Sequence, residues 1–243
     1  MRAVLCGANG AMGKLIREIL GNEIVGLVSL DGENGVPRTF AELGKVDCDT
    51  VIDFSHHSAV ADVLSYAENC GAAAVIGTTG HMASEKERIL AAAEKIPVFY
   101  AGNVSLGIAV LCRLVKQAAA FFPDADIEIV ETHHTRKVDA PSGTALMLFN
   151  AVKEARPEVY ANCGRSGEGK REKNEVGIHA LRLGSVVGIH EVHIHTQSQS
   201  LTLRHESGSR AMLAEGGVAA ARFMAGKGKG LYGMEDVLNQ VNG

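Results

Sequence analysis

The sequence has no tryptophan, and aromatic residues make up only 5% of its 243 positions. A surface that stacks single-stranded nucleic acid needs aromatic rings, so this composition argues against one. The formal net charge is -4, and acidic and basic residues are intermixed along the chain. This charge pattern lacks the basic patch of a nucleic-acid footprint. We therefore expect no nucleic-acid partner.

Long apolar runs are also missing, since no stretch approaches the ~20 residues of a membrane span. The first residues run directly into a strand and a glycine turn, so we expect no signal peptide and no membrane association. The cysteines are scattered, with no C-x-x-C pair, at Cys6, Cys48, Cys70, Cys112 and Cys163. This pattern predicts reduced, mostly buried thiols in a cytoplasmic protein and gives no support to a nucleophilic cysteine.

Hydrophobic residues make up 46% of the chain, enough for one large core or two modest ones. The residue pattern changes after Ser105, where buried strands alternating with helices give way to a long apolar helix. It changes back near Met212. We therefore predict a dinucleotide-binding domain formed by residues 1–105 and 211–243. A substrate-binding and oligomerisation domain is predicted over residues 106–210.

The beginning of the chain carries a strand, a glycine turn and a helix in succession. Residues 2–6 are apolar, the sequence Gly7-Ala8-Asn9-Gly10-Ala11-Met12-Gly13 follows, and residues 14–20 have apolar positions at helical spacing. Glycines in such a turn let the backbone approach a pyrophosphate, and the helix start offers free amides to it. A glycine-rich turn that binds no nucleotide is the alternative.

Four more buried strands are predicted, at residues 23–29, 50–55, 72–76 and 97–100. Helices are expected between several of them, including one over residues 84–94 with Ser84 as N-cap and Glu87 completing a capping box. Alternating strands and helices predict a Rossmann-like, doubly wound parallel sheet, which binds ligands beyond the carboxyl ends of its strands. The glycine turn, Phe54, Gly77-Thr78-Thr79 and Asn103 are all expected at that edge, which strengthens the nucleotide hypothesis.

The choice between NADH and NADPH stays open at the second strand. An NAD site usually has an acid at the end of this strand for the ribose hydroxyls. Here the strand ends in Ser29-Leu30-Asp31, so the acid is displaced, and no arginine follows immediately to bind a 2′-phosphate.

The second half of the chain has a different pattern. A long apolar helix is predicted over residues 106–122. Period-two alternation then predicts strands near residues 127–131, 178–183, 185–195 and 199–205, which favours a second α+β domain with a mixed or antiparallel sheet. Residues 164–173 are rich in glycine and charge and are expected to form an exposed, mobile loop.

The most distinctive stretch is residues 131–145, with the sequence Glu-Thr-His-His-Thr-Arg-Lys-Val-Asp-Ala-Pro-Ser-Gly-Thr-Ala. It is expected to form a loop between a half-buried strand and a helix. Histidines, an arginine and a lysine are followed by hydroxyls and free amides at the helix start. Such groups can hold an anionic substrate and give it a proton.

This stretch resembles the signature of the 4-hydroxy-tetrahydrodipicolinate reductase family, also called dihydrodipicolinate reductase, of lysine and diaminopimelate biosynthesis. The resemblance covers essentially the whole chain. It extends to the glycine turn, Gly77-Thr78-Thr79-Gly80, Asn103-Val104-Ser105, Gly177-Ile178-His179, Val187-Gly188-Ile189-His190-Glu191 and Gly230-Leu231-Tyr232. It implies a homotetramer and hydride transfer from NADH or NADPH to a cyclic imine dicarboxylate.

The resemblance also implies roles for individual residues. His133 is the expected proton donor, and Lys137 either donates the proton or balances the substrate charge. Substrate contacts are implied for His134, Lys137, Ser142, Gly143 and Thr144. Cofactor contacts are implied for Gly7, Ala8, Asn9, Gly10, Ala11, Met12, Phe54, Gly77, Thr78, Thr79, Ala101, Gly102, Asn103 and Val104. Two positions depart from the family pattern, Ser29 in place of an acid and His56 in place of a basic residue.

These residues also allow other interpretations. The His133-His134 pair can ligate a metal, but the adjacent cations would repel one and no acid or cysteine cluster completes a site, so we expect no metal. His193 and His195 share a strand face, which is typical of a solvated or interface surface more than of zinc. A nucleotide-sensing protein without turnover, or a reductase of similar build acting on another small acid, are the alternative functions.

Overall fold

The structure is a computed structural model, and it describes residues 1–241. The chain divides into two compact units. The first contains residues 1–106 together with the chain from Ala211 onward, and the second contains residues 107–210.

The first unit is built on a six-stranded sheet in which every neighbouring pair is parallel, with the order β11-β5-β4-β3-β1-β2. The strands are β1 (Ala3–Cys6), β2 (Ile24–Val28), β3 (Thr50–Asp53), β4 (Ala73–Ile76), β5 (Pro97–Tyr100) and β11 (Gly230–Tyr232). All residues of β1, β3 and β4 are buried. Strands covered on both faces lose the polar alternation of a half-exposed sheet, which explains their continuous apolar sequences.

Helices connect these strands, as the crossover between parallel strands requires. They are α1 (Ala11–Leu20), α2 (Phe40–Leu43), α3 (Val60–Cys70), α4 (Ala83–Ala93), α7 (Ala211–Phe223) and α8 (Met234–Val241). The last two return to the first unit, where α7 packs beside α1. The Rossmann-like fold class predicted from the sequence is confirmed.

The second unit contains a five-stranded mixed sheet with the order β10-β9-β6-β8-β7. Its strands are β6 (Asp126–His133), β7 (Tyr160–Cys163), β8 (Glu175–Arg182), β9 (Ile189–His195) and β10 (Ser200–Glu206). β6 runs parallel to β8 and antiparallel to β9. Helices α5 (Leu106–Phe121) and α6 (Gly143–Ala155) bury one face of this sheet in an apolar core.

Several details differ from the sequence predictions. Helix α4 begins at Ala83 with Met82 as its N-cap, so the expected Ser84 cap is wrong. The Glu85 carboxylate accepts the Met82 amide at 2.7 Å, and this local hydrogen bond fixes the helix start one residue before Ser84. The short strands β7 and β11 were not predicted, because neither has a clear period-two pattern.

The charged segment of residues 164–173 also differs from expectation in part. It forms no helix or strand, but Arg171 is held by Asp126 at 3.0 Å and by the carbonyl oxygen of Ile127 at 3.1 Å. The segment is therefore anchored to β6 at this arginine.

The helices within residues 1–241 are all too short or too polar to cross a membrane.

Candidate active site

The parallel sheet of the first unit gathers the predicted cofactor residues at one edge. β1 ends before Gly7, β3 before Phe54, β4 before Gly77 and β5 before Ala101, and neighbouring strands pair in parallel. Their carboxyl ends therefore point the same way. This is the edge at which open parallel sheets bind ligands.

The glycine turn after β1 has the backbone that a pyrophosphate site requires. Gly7 has φ +84°, a left-handed conformation that favours glycine. A Cβ on Gly13 would lie 2.2 Å from the carbonyl oxygen of Gly7, so only glycine lets α1 pack on the turn. Ala8 is buried, and Ala11 and Met12 form the first turn of α1.

The amide groups at the start of α1 stay available for an anion. Its N-cap is Gly10, and no side chain among residues 1–241 provides a capping hydrogen bond there. Unpaired amides and the positive end of the helix dipole together favour an anionic group. The turn thus fits a dinucleotide phosphate.

The region after β2 contains Asp31, the acid that lies two residues beyond the position usual for an NAD site. Asn9 donates from Nδ2 to Asp31 Oδ1 at 2.6 Å and to the carbonyl oxygen of Glu33 at 3.1 Å. The hydrogen bond from Asn9 lowers the pKa of Asp31, with help from the Glu33 amide. Asp31 is therefore an ionised carboxylate that orients Asn9, one of the predicted cofactor residues, while Ser29 is buried.

Phe54 occupies a slot between glycines. Cβ atoms on Gly77 and Gly217 would lie 2.3 Å and 2.7 Å from the tip of its ring. Beside it, Ser55 donates its amide to Thr78 Oγ1 at 2.9 Å, which ties the end of β3 to the turn after β4. Thr78 is buried, and Thr79 is exposed next to it.

The segment after β5 continues the same edge. Asn103 accepts the Ser105 amide on Oδ1 at 2.9 Å, which fixes a turn, and Val104 is buried. A Cβ on Gly216 would lie 1.8 Å from the carbonyl oxygen of Val104, so α7 contacts the backbone here. Gly102 is exposed, and Ala101 is partly exposed.

In the second unit, the pairing of β6 with β8 and β9 brings polar side chains together at the end of an apolar sheet face. Ile127 and Ile129 on β6 have only apolar partners on their face, on β8 and β9. Two residues further along, Glu131 pairs with His190 on β9, and His133 pairs with Arg182 on β8. Alternate residues of a strand share a face, so these four side chains project to the same side of the sheet.

Glu131 is the centre of this cluster and is completely buried. Its carboxylate accepts His133 Nδ1 at 2.5 Å, the Ser142 amide at 3.1 Å, and both terminal nitrogens of Arg182 at 3.0 Å. Burial alone would raise the pKa of Glu131, but the hydrogen bonds from Arg182, His133 and Ser142 outweigh it and lower that pKa. Glu131 is thus a buried, ionised carboxylate.

His133 differs from its expected position. The sequence places it on a loop, but β6 continues through Thr132 and ends at His133. The ring is almost buried and lies edge-on to His190, with their centroids 5.1 Å apart. A Cβ on Gly188 would lie 3.1 Å from His133 Nε2. His133 is therefore held by a strand, with more rigidity than a loop gives.

The loop after β6 carries the other predicted substrate residues. Lys137 Nζ lies 2.8 Å from Asp139 Oδ1, and the carbonyl oxygen of Asp139 accepts a hydrogen bond from Arg182. Partial burial lowers the pKa of His134, and the charge of Arg136 adds to the effect. His134 is therefore neutral near pH 7 and can donate or accept a hydrogen bond.

The start of α6 is the position at which the sequence predicts an anion site. Ser142 is the N-cap, and its hydroxyl accepts the Ala145 amide at 3.2 Å. Gly143 and Thr144 form the first turn of the helix, and hydrogen bonds from Lys137 and, to a smaller extent, from the Gly143 backbone lower the pKa of Asp139. Gly143 is exposed, and its Cβ position faces open space within the described chain. These features suit a carboxylate approaching the helix start.

Three members of the cluster were not assigned from the sequence. Glu131 and Arg182 were not predicted to contact His133, and His190 was noted only as part of a motif. Alternation along β6 would have placed Glu131 and His133 on the same face, but the pairing of β6 with β8 and β9 is not visible in a single sequence.

A metal site has no support in the part of the chain that the structure describes. No group of three or more His, Cys, Asp or Glu residues there is arranged to hold a metal ion. His193 Nδ1 instead lies 3.1 Å from the Thr202 hydroxyl on the neighbouring strand.

His190 makes folding stability depend on pH. Burial, reinforced by the nearby His133, lowers its pKa from 6.5 to about 4. Between these values the unfolded chain binds the extra proton and the folded chain does not, so acid favours unfolding. We expect the free energy of unfolding to fall by about 2 kcal/mol between pH 7 and pH 5 through His190.

Urea denaturation at both pH values tests this expectation. A His190→Gln variant should lose less stability than the wild type over this range. The control His195→Gln alters an exposed histidine and should behave like the wild type. Equal pH dependence in His190→Gln and the wild type would contradict the assignment.

Comparison with known proteins gives a consistent result. The family model described as "Dihydrodipicolinate reductase, N-terminus" matches residues 1–104, and the corresponding C-terminus model matches residues 107–238. The chain is 38% identical to 4-hydroxy-tetrahydrodipicolinate reductase from Clostridium novyi (strain NT), covering 99% of both chains. It is 41% identical to the enzyme of that name from Caulobacter vibrioides, covering 98% of this chain and 97% of the relative.

A solved structure shows the same fold. Dihydrodipicolinate reductase from Paenisporosarcina sp. TG-14, solved with bound dipicolinate, superposes with a TM-score of 0.77. The two sequences are 24% identical, and the match covers 97% of this chain and 98% of that one. The family models and the two relatives cover nearly the entire sequence, and the chain therefore belongs to the dihydrodipicolinate reductase family.

Proposed function

We propose that this chain reduces 4-hydroxy-tetrahydrodipicolinate, with loss of water, to tetrahydrodipicolinate in lysine and diaminopimelate biosynthesis. The observation that carries the proposal is the cluster at the end of β6, where an ionised Glu131 holds His133 beside an amide-rich helix start. A sensor without turnover would have no use for a held proton donor. The activity also agrees with the names of the relatives.

The cofactor is a nicotinamide dinucleotide, NADH or NADPH, held by the first unit. The glycine turn fits its phosphates because Gly7, Gly10 and Gly13 leave room for close approach and the start of α1 offers amides. Contacts are assigned to Gly7 through Met12, Phe54, Gly77 through Thr79, and Ala101 through Val104. When bound, the reduced cofactor supplies a hydride.

The second unit holds the substrate, a small dicarboxylate. Ser142, Gly143 and Thr144 bind one carboxylate at the start of α6, and His134 and Lys137 contact the substrate from the loop. The dipicolinate bound to the Paenisporosarcina structure is a dicarboxylate of this kind. Lys137 is held by Asp139 at 2.8 Å and balances the substrate charge.

The proton is assigned to His133. Addition of hydride to a C=C–C=N system needs a proton at the neighbouring centre, and histidine can supply one near neutral pH. Nδ1 of His133 is engaged by Glu131, so Nε2 is the atom that gives the proton. Lys137 is the alternative donor.

The protein is also proposed to act as a homotetramer assembled through the second unit. The sheet face away from α5 and α6 carries Leu181, which is 45% exposed, beside the polar His179 and Glu128. Light scattering tests this assignment, and a monomer at micromolar concentration would contradict it.

We expect weak discrimination between NADH and NADPH. Asp31 is engaged by Asn9 and the Glu33 amide, which reduces its capacity to select the ribose hydroxyls of NADH or repel a 2′-phosphate. The values of kcat/KM for the two cofactors should therefore agree within roughly tenfold, about 1.4 kcal/mol. Steady-state kinetics with each cofactor provides the test, and a hundredfold preference for either would refute it.

A further inference from the structure

We propose that Glu131, supported by Arg182, is a positioning residue that fixes the hydrogen of the neutral His133 ring on Nδ1 and leaves Nε2 for the substrate. This inference rests on the proposed function of His133 as proton donor. Glu131 lies two residues before His133 on the same strand face, and its Oε2 is 2.5 Å from His133 Nδ1. The carboxylate is ionised and can only accept, so His133 Nδ1 must donate.

Arg182 holds the carboxylate in the orientation that this role needs. Its two terminal nitrogens donate to the two oxygens of Glu131 at 3.0 Å each, a paired geometry that fixes the plane of the carboxylate. Arg182 lies on β8 two residues after Ala180, the register partner of Glu131, so its side chain projects to the same face as Glu131. Arg182 also donates to the carbonyl oxygen of Asp139, and this hydrogen bond anchors the loop that follows β6 and carries Lys137.

The proton balance of the step follows from this geometry. The cationic ring carries hydrogens on both nitrogens and loses the one on Nε2 to the substrate. The remaining hydrogen stays on Nδ1, where the hydrogen bond to Glu131 persists before and after transfer. The ring therefore needs no rotation during turnover. It regains the Nε2 proton from solvent.

A Glu131→Gln substitution would reverse this arrangement. Its amide oxygen would turn toward the Ser142 amide and one Arg182 nitrogen, because these groups can only donate. Its NH2 group would then face His133, the one partner able to switch from donor to acceptor. The neutral ring would accept a hydrogen bond on Nδ1 and carry its hydrogen on Nε2. Protonation of Nδ1 would be disfavoured, because the new N–H would point at an N–H of the introduced amide.

Kinetics separates this role from a structural one. For Glu131→Gln we expect kcat to fall by ~10²-fold, the scale of a lost general acid, with a larger solvent isotope effect. KM should change by less than roughly threefold, since Ser142 keeps its hydrogen bond to Ala145 and its contact with His190 at 3.3 Å. Glu131→Asp retains the charge and should recover part of kcat.

The matched control is Glu128→Gln. Glu128 lies three residues earlier on β6 and holds His179 Nε2 at 2.8 Å, so it is a carboxylate–imidazole pair on the opposite face of the same strand. Its variant, with an oligomeric state that matches the wild type by light scattering, should keep kcat and the solvent isotope effect of the wild type. A Glu131→Gln variant with normal kcat, or with a raised KM alone, would overturn the proposal.

Nitrogen NMR tests the proposal without turnover. In ¹⁵N-histidine-labelled wild type at alkaline pH, the neutral His133 ring, assigned by its loss in His133→Gln, should carry its hydrogen on Nδ1. A hydrogen on Nε2 in the wild type would overturn the proposal, even if Glu131→Gln fails to fold. If the wild type has the Nδ1 tautomer but no reductase activity, the proposed function fails while the positioning role stands.

Discussion

Replacing His133 or Lys137 with alanine is expected to lower kcat by ~10²-fold or more while the protein remains folded. His133 lies at the end of β6, and its loss leaves Glu131 with hydrogen bonds from Ser142 and Arg182. Lys137 is partly exposed and makes an ion pair with Asp139. Neither side chain contributes to the apolar core, so the loss should fall on the reaction. Steady-state kinetics and circular dichroism measure the two effects.

Two exposed residues provide the controls. His195→Ala removes an exposed histidine from β9, and Lys95→Ala removes an exposed lysine that pairs with Glu68 at 3.0 Å. Both should retain the wild-type kcat. Near wild-type turnover in both His133→Ala and Lys137→Ala would refute the roles given to these residues. Near wild-type turnover in His133→Ala alone would contradict the assignment of the proton to His133.

A Gly13→Ala substitution is expected to weaken both cofactor binding and folding. The new Cβ would lie 2.2 Å from the carbonyl oxygen of Gly7 and 2.8 Å from backbone atoms of Ala8. Backbone atoms cannot move aside as a side-chain tip can, so the glycine turn must open. We expect NADH to bind at least roughly tenfold more weakly and the free energy of unfolding to fall by ~1–3 kcal/mol. Fluorescence titration and urea denaturation measure these changes.

Gly228→Ala is the matched control for this substitution. A Cβ at Gly228 meets no atom within 4 Å in the described part of the chain. Its variant should bind NADH and unfold like the wild type. If Gly13→Ala matched Gly228→Ala in both measurements, the turn would not be the close-packed phosphate site described above.

The first unit was predictable from the sequence because its signals are local. Strands β1 to β5 are short, mostly apolar runs that end near glycine or polar residues, as in Ala73–Ile76 before Gly77, whereas β11 lacks such a run and was not predicted. Strands that alternate with helices pair in parallel, so their carboxyl ends lie at one edge of the sheet. The loops that follow these strands lie at the same edge. The exceptions have local causes too, since the Glu85 hydrogen bond to Met82 shifts the start of α4.

The candidate substrate site was predictable in its residue types and not in its connections. The sequence indicates that His133, Lys137 and the start of α6 carry the chemistry. It does not show that Arg182 joins Glu131, because that contact depends on pairing between strands and links residues 51 positions apart in sequence. Such long-range register depends on tertiary packing, which residue spacing alone does not encode.

The most direct test of the reductase assignment is a coupled assay with purified protein. The substrate is made in place by condensing aspartate semialdehyde with pyruvate, and the absorbance of reduced nicotinamide is followed. We predict oxidation of NADH and NADPH, one equivalent for each substrate consumed. Binding of NADH or NADPH without any substrate-dependent loss of absorbance would contradict the account and favour a nucleotide sensor.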